Sequence, residues 1–419
     1  MGYDELDGTL GEEHAALRDT AHRFALDVLR PAGATLDQMS PEDVAAPDSA
    51  LHEVLAAWWS GGNHTAGLPV ELGGGGLDPL ARHLVLEELG WGSAGLAIAL
   101  GVGSMPFEVA ARIAQLTGND RLLEEVISPF ASDVEARYVG CWAITEPQHG
   151  SDALSVGTEA FSLRAAAGVC RAVRDGTDWV LSGEKAAWVS NGSIATHALL
   201  FCTTEPDLGP AGGGVAFVPL DLPGVSRGRP LDKLGQRDLN QGPIAFDAVR
   251  IPEHLMLVTA ELYPMALSSV LALANTGMSV VFTGLARAAF EEALGYARVR
   301  EQGGRPIAGH QLVQSRLFSM FCEVESSRAL SRAVLGATGG GEPPSLAHAI
   351  AAKVTCTQRA FDVANAAVQL HGGVGLARGV LVEKLFRDAR ASLVEDGVNE
   401  FLGLVGARAV LDGYDEQAP

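Results

Sequence analysis

The segment CWAITEPQHGSDALS, residues 141–155, marks the point where helical sequence gives way to strand-like sequence. An apolar run enters a turn at Thr145 and Pro147 and continues through Gly150 and Ser151. Such a turn presents hydroxyl and backbone N–H groups, and its glycine permits the close approach of a ligand. The segment therefore favours a rim for an aromatic cofactor with carbonyl and phosphate acceptors, with an Asx-type turn as the alternative.

The chain divides into three regions that differ in composition and periodicity. Residues 1–139 are rich in Ala, Leu and Glu, and the run HAALRDTAHRFALDVLR repeats apolar positions at helical spacing. Residues 140–258 contain short β-prone runs such as DWVLSG, HALLFCTT, GVAFVPL and PIAFDAVRIP, which Gly, Pro, Asp and Asn separate. Helical periodicity returns over residues 259–419. We therefore predict a mainly α fold in which a small all-β domain lies between two helical domains.

The charge of the chain argues against two classes of partner. The chain has 419 residues, of which 47% are hydrophobic, so it is long enough for more than one domain with a core. Its 30 basic and 51 acidic residues give a net charge of −21, and no Lys- or Arg-rich run occurs. Such a field repels phosphate backbones and anionic lipids, so we expect neither nucleic acid nor a membrane as partner.

Three features of the sequence indicate where in the cell the protein is located. The five cysteines lie far apart and form no ligand cluster, which predicts reduced, buried thiols and no metal site. The amino terminus, MGYDELDGTLGEEH, is acidic and lacks the features of a signal peptide, so we expect a cytoplasmic protein. Residues 262–286 carry no charge and could cross a bilayer, but interspersed Ser, Thr and Asn favour a buried helix.

A second segment, DWVLSGEKAAWVSNGS at 178–193, places Trp188 beside Ser190 on a predicted strand. A tryptophan face can pack on an aromatic cofactor ring while a hydroxyl reaches the ring edge. A half-buried core tryptophan is the commoner role for a single instance. The segment therefore supports a cofactor site only together with the others.

A third segment, QLHGGVGLARGVLVEKLFRDARASLVEDGVNEFLGL at 369–404, combines a glycine-rich passage with an acidic turn. The glycines precede a helix that begins beyond Gly379, and the RDAR run then leads to Glu395 and Asp396. Glycines at a helix junction can act as caps, and they also clear room for a phosphate-bearing ligand. Without the other segments, capping is the better interpretation.

Taken together, the segments resemble those of acyl-CoA dehydrogenases over almost the whole chain. The resemblance rests on the order and spacing of EELGWGSAG (87–95), TEP with GSD (145–152), GEK to WVSNG (183–192), KLGQRDLNQGPIAFDAVRIP (233–252), RPIAGHQ (305–311), QLHGGVG and RDAR. It implies an N-terminal helical domain (1–139), a middle β-barrel domain (140–258), a C-terminal four-helix bundle (259–419) and bound FAD.

The resemblance also implies partners. The substrate would be an acyl-CoA or an acyl carrier protein thioester, and both carriers are anionic, so the net charge does not choose between them. The electron acceptor would be electron-transfer flavoprotein or another acceptor. The chain would assemble as a homotetramer or homodimer.

Cofactor contacts can be carried over position by position. The residues that resemble the flavin-contacting set are Trp142, Ile144, Thr145, Gly150, Ser151, Trp188 and Ser190. Those that resemble cross-subunit contacts to the FAD pyrophosphate and adenosine are Arg300, His310, Gln369, Gly372 and Gly373. The chain departs from the family pattern at Gln302, Gly303 and Val398, and GEKAAW has one more alanine than many relatives, which puts details of FAD binding in doubt.

The catalytic base is the largest departure. Counting from RDAR (387–390), the glutamate that acts as base in the family falls on Asp396, and its usual aromatic neighbour falls on Glu395. The aspartate side chain is shorter by about 1.5 Å. Either Asp396 is the base, which we favour, or Glu395 turns into the site. Some relatives carry the base at the position of Ala274, where this chain offers no carboxylate.

The chemistry implied is removal of an α proton from a thioester while a β hydride passes to flavin N5. The shorter base, together with Ala97 and Gly101 where medium-chain relatives have bulkier polar residues, predicts a short, branched or otherwise atypical acyl chain. We also expect Asn275 and Gly397 to contact substrate. The alternatives are a biosynthetic dehydrogenase that is linked to an acyl carrier protein or desaturates γ,δ, an acyl-CoA oxidase, and a flavin-binding protein without enzymatic activity.

Overall fold

The N-terminal part of the chain is helical. The computed structural model describes residues 10–338 and 344–415. Two π-helical segments, Ala25–Leu29 and Leu123–Ile127, join α1 to α2 and α7 to α8. The helices are α1 (Glu12–Phe24), α2 (Arg30–Leu36), α3 (Pro41–Ala45), α4 (Ala50–Ser60), α5 (Pro79–Gly92), α6 (Ala94–Thr117), α7 (Asp120–Leu122) and α8 (Ser128–Ala131).

The middle part forms one mixed sheet with the strand order β6-β7-β3-β2-β4-β5-β8, and β1 pairs in parallel with β4. Among the described residues the two end strands, β6 and β8, do not pair with each other, so closure into a barrel stays a prediction. The strands are β1 (Gly140–Ala143), β2 (Arg171–Asp175), β3 (Asp178–Lys185), β4 (His197–Thr203), β5 (Gly213–Pro219), β6 (Val225–Arg227), β7 (Ile244–Pro252) and β8 (Met256–Val258).

The C-terminal part is again helical and confirms the predicted order of helical, β and helical domains. A two-stranded hairpin, β9 (Glu301–Gln302) and β10 (Arg305–Pro306), connects its first two helices. The domain boundaries at 139/140 and 258/259 stay predictions. The helices are α9 (Tyr263–Val299), α10 (Gln311–Gly336), α11 (Leu346–His371), α12 (Leu381–Ser392) and α13 (Asn399–Asp415).

Glycines bring the two helical domains into backbone contact. A Cβ at Gly90 of α5 would lie 2.1 Å from the carbonyl oxygen of Val281 on α9. A Cβ at Gly284 of α9 would lie 2.1 Å from the carbonyl oxygen of Glu87 on α5. Because neither position has room for a side chain, the backbones of α5 and α9 come into direct contact at these glycines. This contact sets the N-terminal helices against the C-terminal bundle.

A buried ion network holds the same contact together. The Arg287 guanidinium donates to Glu87 and Glu88, both at 2.9 Å, and Arg328 donates to Glu87 at 2.8 Å. Burial alone would raise the pKa of the Glu87 carboxyl, but the two guanidinium groups outweigh burial and lower it. Removing one partner would leave a buried charge uncompensated, which is strongly destabilising.

Two sequence expectations are wrong. Trp188 and Ser190 do not lie on a strand, because β3 ends at Lys185 and the chain turns away where the N–H of Ala186 donates to the carbonyl of Thr145 at 2.9 Å. The thiols of four cysteines are buried as predicted, but Cys322 is exposed on α10 because its position faces outward from the bundle.

Two helices, α6 and α9, are long and apolar enough to span a membrane. The most apolar stretch of each is largely buried inside the fold, 72% for α6 and 67% for α9. Core helices of this kind satisfy the same length and composition criteria. The predicted helix over residues 262–286 is thus confirmed as part of α9, which is packed on most of its faces.

Candidate active site

A cavity of about 610 Å³ lies between the middle sheet, α9 and the loop after α12, and we call it the first cavity. Its volume is in the range of cofactor sites. The loop supplies Glu395, Asp396 and Gly397 to its wall. The wall also contains all seven residues predicted to contact the flavin: Trp142, Ile144, Thr145, Gly150, Ser151, Trp188 and Ser190.

Trp142 reaches the first cavity from β1, whose backbone pairs with β4 opposite Leu199. The indole Nε1 of Trp142 is buried and has no hydrogen-bond acceptor among the described residues. A buried donor without an acceptor costs free energy. A ligand that brings an acceptor to this wall of the cavity would remove that cost.

An ion pair positions two chain segments in the wall of the first cavity. The Lys185 ammonium donates to the carbonyl of Ile144 at 2.9 Å and to the carboxylate of Glu146 at 2.8 Å. Burial would raise the pKa of Glu146, but Lys185 and two backbone N–H groups outweigh it and lower the pKa. Glu146 of the TEP motif is therefore a structural anchor, and the adjacent Thr145 is left on the cavity wall.

The turn that carries Trp188 and Ser190 is held by Gln241, which lies on a neighbouring segment of the same chain. The amide of Gln241 donates to the carbonyl of Trp188 and to the hydroxyl of Ser190, both at 3.2 Å. The Gln241 oxygen accepts from Lys233 at 2.6 Å. Trp188 is nevertheless 56% exposed, so one face of a large aromatic ring is open on the cavity wall.

The loop after α12 presents its carboxylates through an unusual backbone. Asp396 has φ +50° and Gly397 has φ +101°, two successive residues in the left-handed region. A non-glycine residue there is uncommon and persists only where surrounding contacts hold it. The loop is held by Lys353, whose ammonium donates to the carbonyl of Gly397 at 2.8 Å, and by Ser151, whose hydroxyl accepts from the N–H of Val398 at 3.0 Å.

The adjacent carboxylates of Glu395 and Asp396 differ in their hydrogen-bond partners. The Glu395 carboxylate accepts from the amide of Gln236 at 2.7 Å, and burial raises its pKa to about 7. The Asp396 carboxylate has no hydrogen-bond donor among the described residues. Burial raises the pKa of Asp396 as well, although the charge of Lys353 opposes this. Asp396 is therefore the carboxylate that is free to meet a ligand.

A second cavity of about 290 Å³ lies among α5, α6 and α9 and adjoins the first cavity. Ala97 and Gly101, predicted to contact the acyl chain, both line it. Five residues line both cavities, so they mark the junction: Ile98, Val102, Trp142, Met278 and Asp396. The freely accessible carboxylate thus lies where a ligand that fills both cavities would pass.

The remaining predicted substrate residues fall in different places. Gly397 lines the first cavity. Asn275 lines neither cavity and is fully buried, and its amide donates to the carbonyl of Leu271 at 3.0 Å and of Asp396 at 3.4 Å. The side chain is engaged within α9 and with the loop after α12, and its contact with substrate stays a prediction.

The five residues predicted to contact the far half of FAD lie together at another surface. Arg300 follows α9, and the Nε2 of His310 donates to the carbonyl of Gln302 at 2.9 Å in the hairpin between α9 and α10. Gln369, Gly372 and Gly373 are exposed at the end of α11. None of the five lines either cavity of this single chain. Their contact with a cofactor in a neighbouring subunit stays a prediction.

Sequence reasoning missed the residues that support the loop after α12. Lys353 on α11 and Gln236 in the loop before β7 each contact a segment distant in sequence, 44 and 159 residues away. Lys353 interrupts the apolar run AIAAKV in a helix, and a lysine on the buried side of a helix is rare unless paired. That was the one signal in the sequence that pointed to a role for Lys353.

Comparisons with known proteins agree over the whole chain. Three family models match: the acyl-CoA dehydrogenase N-terminal domain over residues 11–133, the middle domain over 141–249 and the C-terminal domain over 265–411. The mitochondrial short-chain specific acyl-CoA dehydrogenase of Bos taurus is 31% identical, covering 97% of this chain and 92% of that protein. A probable acyl-CoA dehydrogenase of Mycobacterium leprae is 30% identical, covering 96% of each.

Solved structures show the same fold. A glutaryl-CoA dehydrogenase from Mycobacterium smegmatis in complex with FADH2 has a TM-score of 0.80 at 22% identity and covers 97% of this chain and 96% of that chain. A prolyl acyl carrier protein oxidase has a TM-score of 0.80 at 23% identity and covers 96% and 100%. At these identities the likeness is one of fold alone.

Proposed function

The chain belongs to the acyl-CoA dehydrogenase family, and on that premise we propose that it oxidises the acyl chain of a thioester with Asp396 as the base. It is an FAD-dependent oxidoreductase of acyl thioesters. One observation carries the assignment of the base. The Asp396 carboxylate lines both cavities, and no group of the described residues donates a hydrogen bond to it.

The residues around the first cavity fit FAD. The unpaired Nε1 of Trp142 offers a donor, and the open face of Trp188 offers a surface for an aromatic ring. When bound, FAD supplies an oxidised ring that accepts a hydride at N5. Thr145, Ser151 and Ser190 would reach the polar edge of that ring with hydroxyl groups.

The reaction requires three contributions from this chain. The Asp396 carboxylate takes a proton from Cα, the β hydrogen leaves with its electron pair, and a Cα–Cβ double bond forms. Backbone N–H groups of Asp396 and Gly397 have no acceptor among the described residues and can polarise the thioester carbonyl. The apolar walls exclude water, and the burial that raises the pKa of Asp396 brings the base closer to the acidity of its substrate.

Glu395 is the alternative base. Its carboxylate accepts from Gln236 and would have to give up that bond and rotate to reach the cavity junction. The proposal is tested by stopped-flow flavin reduction in Asp396→Asn and in Glu395→Gln. We expect the first variant to lose about 100- to 10,000-fold in rate with unchanged FAD content, and the second to lose far less. The reverse order would assign the base to Glu395.

The acyl chain is the less defined half of the proposal. We propose a short, branched or otherwise atypical chain, because the base is one carbon shorter than a glutamate. The open space at Gly101, where nothing lies within 4 Å of a Cβ position, leaves room for a branch. A panel of acyl thioesters with flavin bleaching as readout tests this. Efficient turnover of unbranched C8 to C16 chains would contradict it.

The carrier and the electron acceptor are part of the same proposal. CoA is the carrier we favour, with electron-transfer flavoprotein as acceptor, a homotetramer or homodimer as assembly and the cytoplasm as location. Selectivity for a carrier protein thioester, including γ,δ desaturation, would indicate a biosynthetic dehydrogenase, and peroxide formation would indicate an oxidase. If no thioester bleached the bound flavin, a non-enzymatic flavin-binding role would replace all of these.

A further inference from the structure

Among the described residues that line the first cavity, four side chains are ionisable: Lys233, Arg390, Glu395 and Asp396. The two carboxylates belong to the loop after α12, where the proposed function places the base. Arg390 is exposed at the end of α12, so water and salt screen its charge. Lys233 is half-buried, so its charge is screened less, and the proposed function gives it no role.

Lys233 is held in place by two uncharged acceptors. Its ammonium donates to the carbonyl of Leu239 at 2.8 Å and to the side-chain oxygen of Gln241 at 2.6 Å. An ammonium has three N–H donors, and the third one of Lys233 has no acceptor among the described residues. No carboxylate of those residues lies within 4.0 Å of it. A partly buried cation in this state costs free energy unless a ligand meets it.

Lys233 carries its positive charge at neutral pH. Burial lowers the pKa of its ammonium to about 8, while the carboxyl groups of Glu395, Asp238 and Asp388 act to raise it. Asp238 and Asp388 pair with the ammonium of Lys384 instead, at 3.0 and 2.6 Å. At pH 7 the ammonium is therefore mostly protonated, and its charge acts on the first cavity.

Gln241 connects this cation to Trp188 and Ser190. An ammonium only donates and a carbonyl only accepts, so Lys233 and the carbonyl of Trp188 fix which end of the Gln241 amide faces each of them. The amide then donates to the hydroxyl oxygen of Ser190, which leaves the hydroxyl hydrogen of Ser190 for a ligand. These aligned groups extend the positive potential of Lys233 along the wall of the first cavity.

The segment that carries Lys233 is fixed against α12. A Cβ at Gly235 would lie 2.1 Å from the carbonyl oxygen of Arg387, so the two backbones touch at that point. The Arg387 guanidinium also donates to the carbonyl of Leu234 at 3.0 Å. Because Lys233 directly precedes these residues, a displacement of its backbone would disturb both contacts. The charge therefore has a defined position in the cavity wall.

We propose that Lys233 raises the reduction potential of the FAD bound in the first cavity, with its charge held in the cavity wall by Leu239 and Gln241. This rests on the proposed function, because it places FAD in that cavity. A hydride brings two electrons and one proton, so the ring that receives it gains one negative charge. A fixed cation favours this more negative state over the uncharged oxidised ring.

The test measures the midpoint potential of the purified, FAD-loaded enzyme at pH 7 by anaerobic equilibration with a reference dye, in the absence of any thioester. Lys233→Met removes the charge and nearly keeps the volume. It should shift the equilibrium between oxidised and reduced FAD about tenfold toward the oxidised form, which is about 30 mV for a two-electron couple. Lys233→Arg keeps the charge and should retain most of the wild-type potential. A potential of Lys233→Met equal to that of wild type overturns the inference.

Arg164→Met is the matched control, because it also replaces a cation by methionine. Arg164 is 77% exposed, pairs with Asp207 and lines neither cavity. The potential of this variant should equal that of wild type, and a shift as large as that of Lys233→Met overturns the inference.

Two further variants keep Lys233 in place, in case Lys233→Met folds poorly or loses FAD. The carboxylate in Gln241→Glu offsets the charge of Lys233, so this variant should lower the potential by about the same amount as the loss of the lysine. The uncharged Gln241→Met should lower it less. Equal shifts in the two variants would show that packing and not charge sets the potential, which contradicts the proposal.

The outcomes separate this inference from the proposed function, because the potential is measured without substrate. If thioesters reduce the FAD but Lys233→Met leaves the potential unchanged, only the inference fails. If Lys233→Met lowers the potential but no thioester reduces the FAD, only the proposed function fails.

Discussion

The two cavities that meet at Asp396 are built in different ways. The first is walled by turns, and three of their backbone carbonyls are engaged within the fold. The carbonyls of Ile144, Thr145 and Trp188 accept from Lys185, from the N–H of Ala186 and from Gln241. The second is walled mainly by faces of α5, α6 and α9, whose backbone bonds run within each helix, so its shape depends largely on side chains.

Because the two cavities are built differently, substitutions in them should have different effects. A change in the first cavity disturbs hydrogen bonds that hold the turns of the middle domain in place, so it should affect folding and flavin binding together. A change on a helix face in the second cavity alters volume or charge and leaves the backbone bonds in place. If the proposed function holds, the site of proton removal is thus constrained by the fold, and the second cavity is open to substitution.

The largest expected effect comes from lengthening the side chain of the proposed base, Asp396. Asp396→Glu restores the side-chain length usual in the family, and a displacement of about 1 Å in a reacting group changes rates on the order of a hundredfold. We expect the ratio of kcat/KM for an unbranched over a branched thioester of equal carbon number to rise by about that factor. Flavin reduction measures it. An unchanged ratio would show that base length does not determine substrate choice.

Removing Lys353, which supports the loop after α12, should have the next largest effect. Lys353→Met keeps volume but leaves the carbonyl of Gly397 and the side chain of Asn399 without their donor. A buried acceptor left unpaired costs about 1–3 kcal/mol in the free energy of unfolding. We also expect slower flavin reduction in the folded protein, since Asp396 loses its backbone restraint. Loss of stability with an unchanged rate would contradict the role given to Lys353.

The parts of the structure that sequence predicted are those with local signals. The strands at 178–185, 197–203, 213–219 and 244–252 carry β-prone runs bounded by turn residues, and all four are present. The flavin-side residues fall within short motifs, so adjacency in sequence becomes adjacency in the cavity. Trp188 was misplaced on a strand because a β-prone run continues past Lys185, where long-range hydrogen bonds redirect the chain.

The parts that sequence missed depend on contacts between distant segments. Gln236 and Lys353 hold the loop after α12, and the charge of Arg82 on α5 acts on the carboxyl of Glu108 on α6. No periodicity or motif encodes which of several buried polar residues will face one another. The sequence favours Asp396 over Glu395 by its position after RDAR, and the structure adds a difference that no motif encodes, because Gln236 donates to Glu395 and not to Asp396.

The pH dependence of stability tests the environment of Glu395. Burial raises its pKa from 4.5 to about 7, so the folded protein binds more protons than the unfolded chain between those values. Stability from this group is therefore lost as pH rises from about 4.5 to 7. Relative to Glu395→Gln, wild type should lose up to about 3 kcal/mol over that window in denaturant unfolding. A constant difference between the two proteins would place Glu395 in solvent.

The smallest expected effect concerns Gly101, which lines the second cavity on α6. Gly101→Ala adds a methyl group to the second cavity in a helix interior, where nothing lies within 4 Å. Replacing a helical glycine should raise the free energy of unfolding by about 0.5–1 kcal/mol. Gly295→Ala on α9 is equally unobstructed and lines neither cavity, so it should give the same gain. Only Gly101→Ala should lower kcat/KM for the bulkiest acyl chains. Equal kinetics in both variants would mean that Gly101 does not bound the substrate.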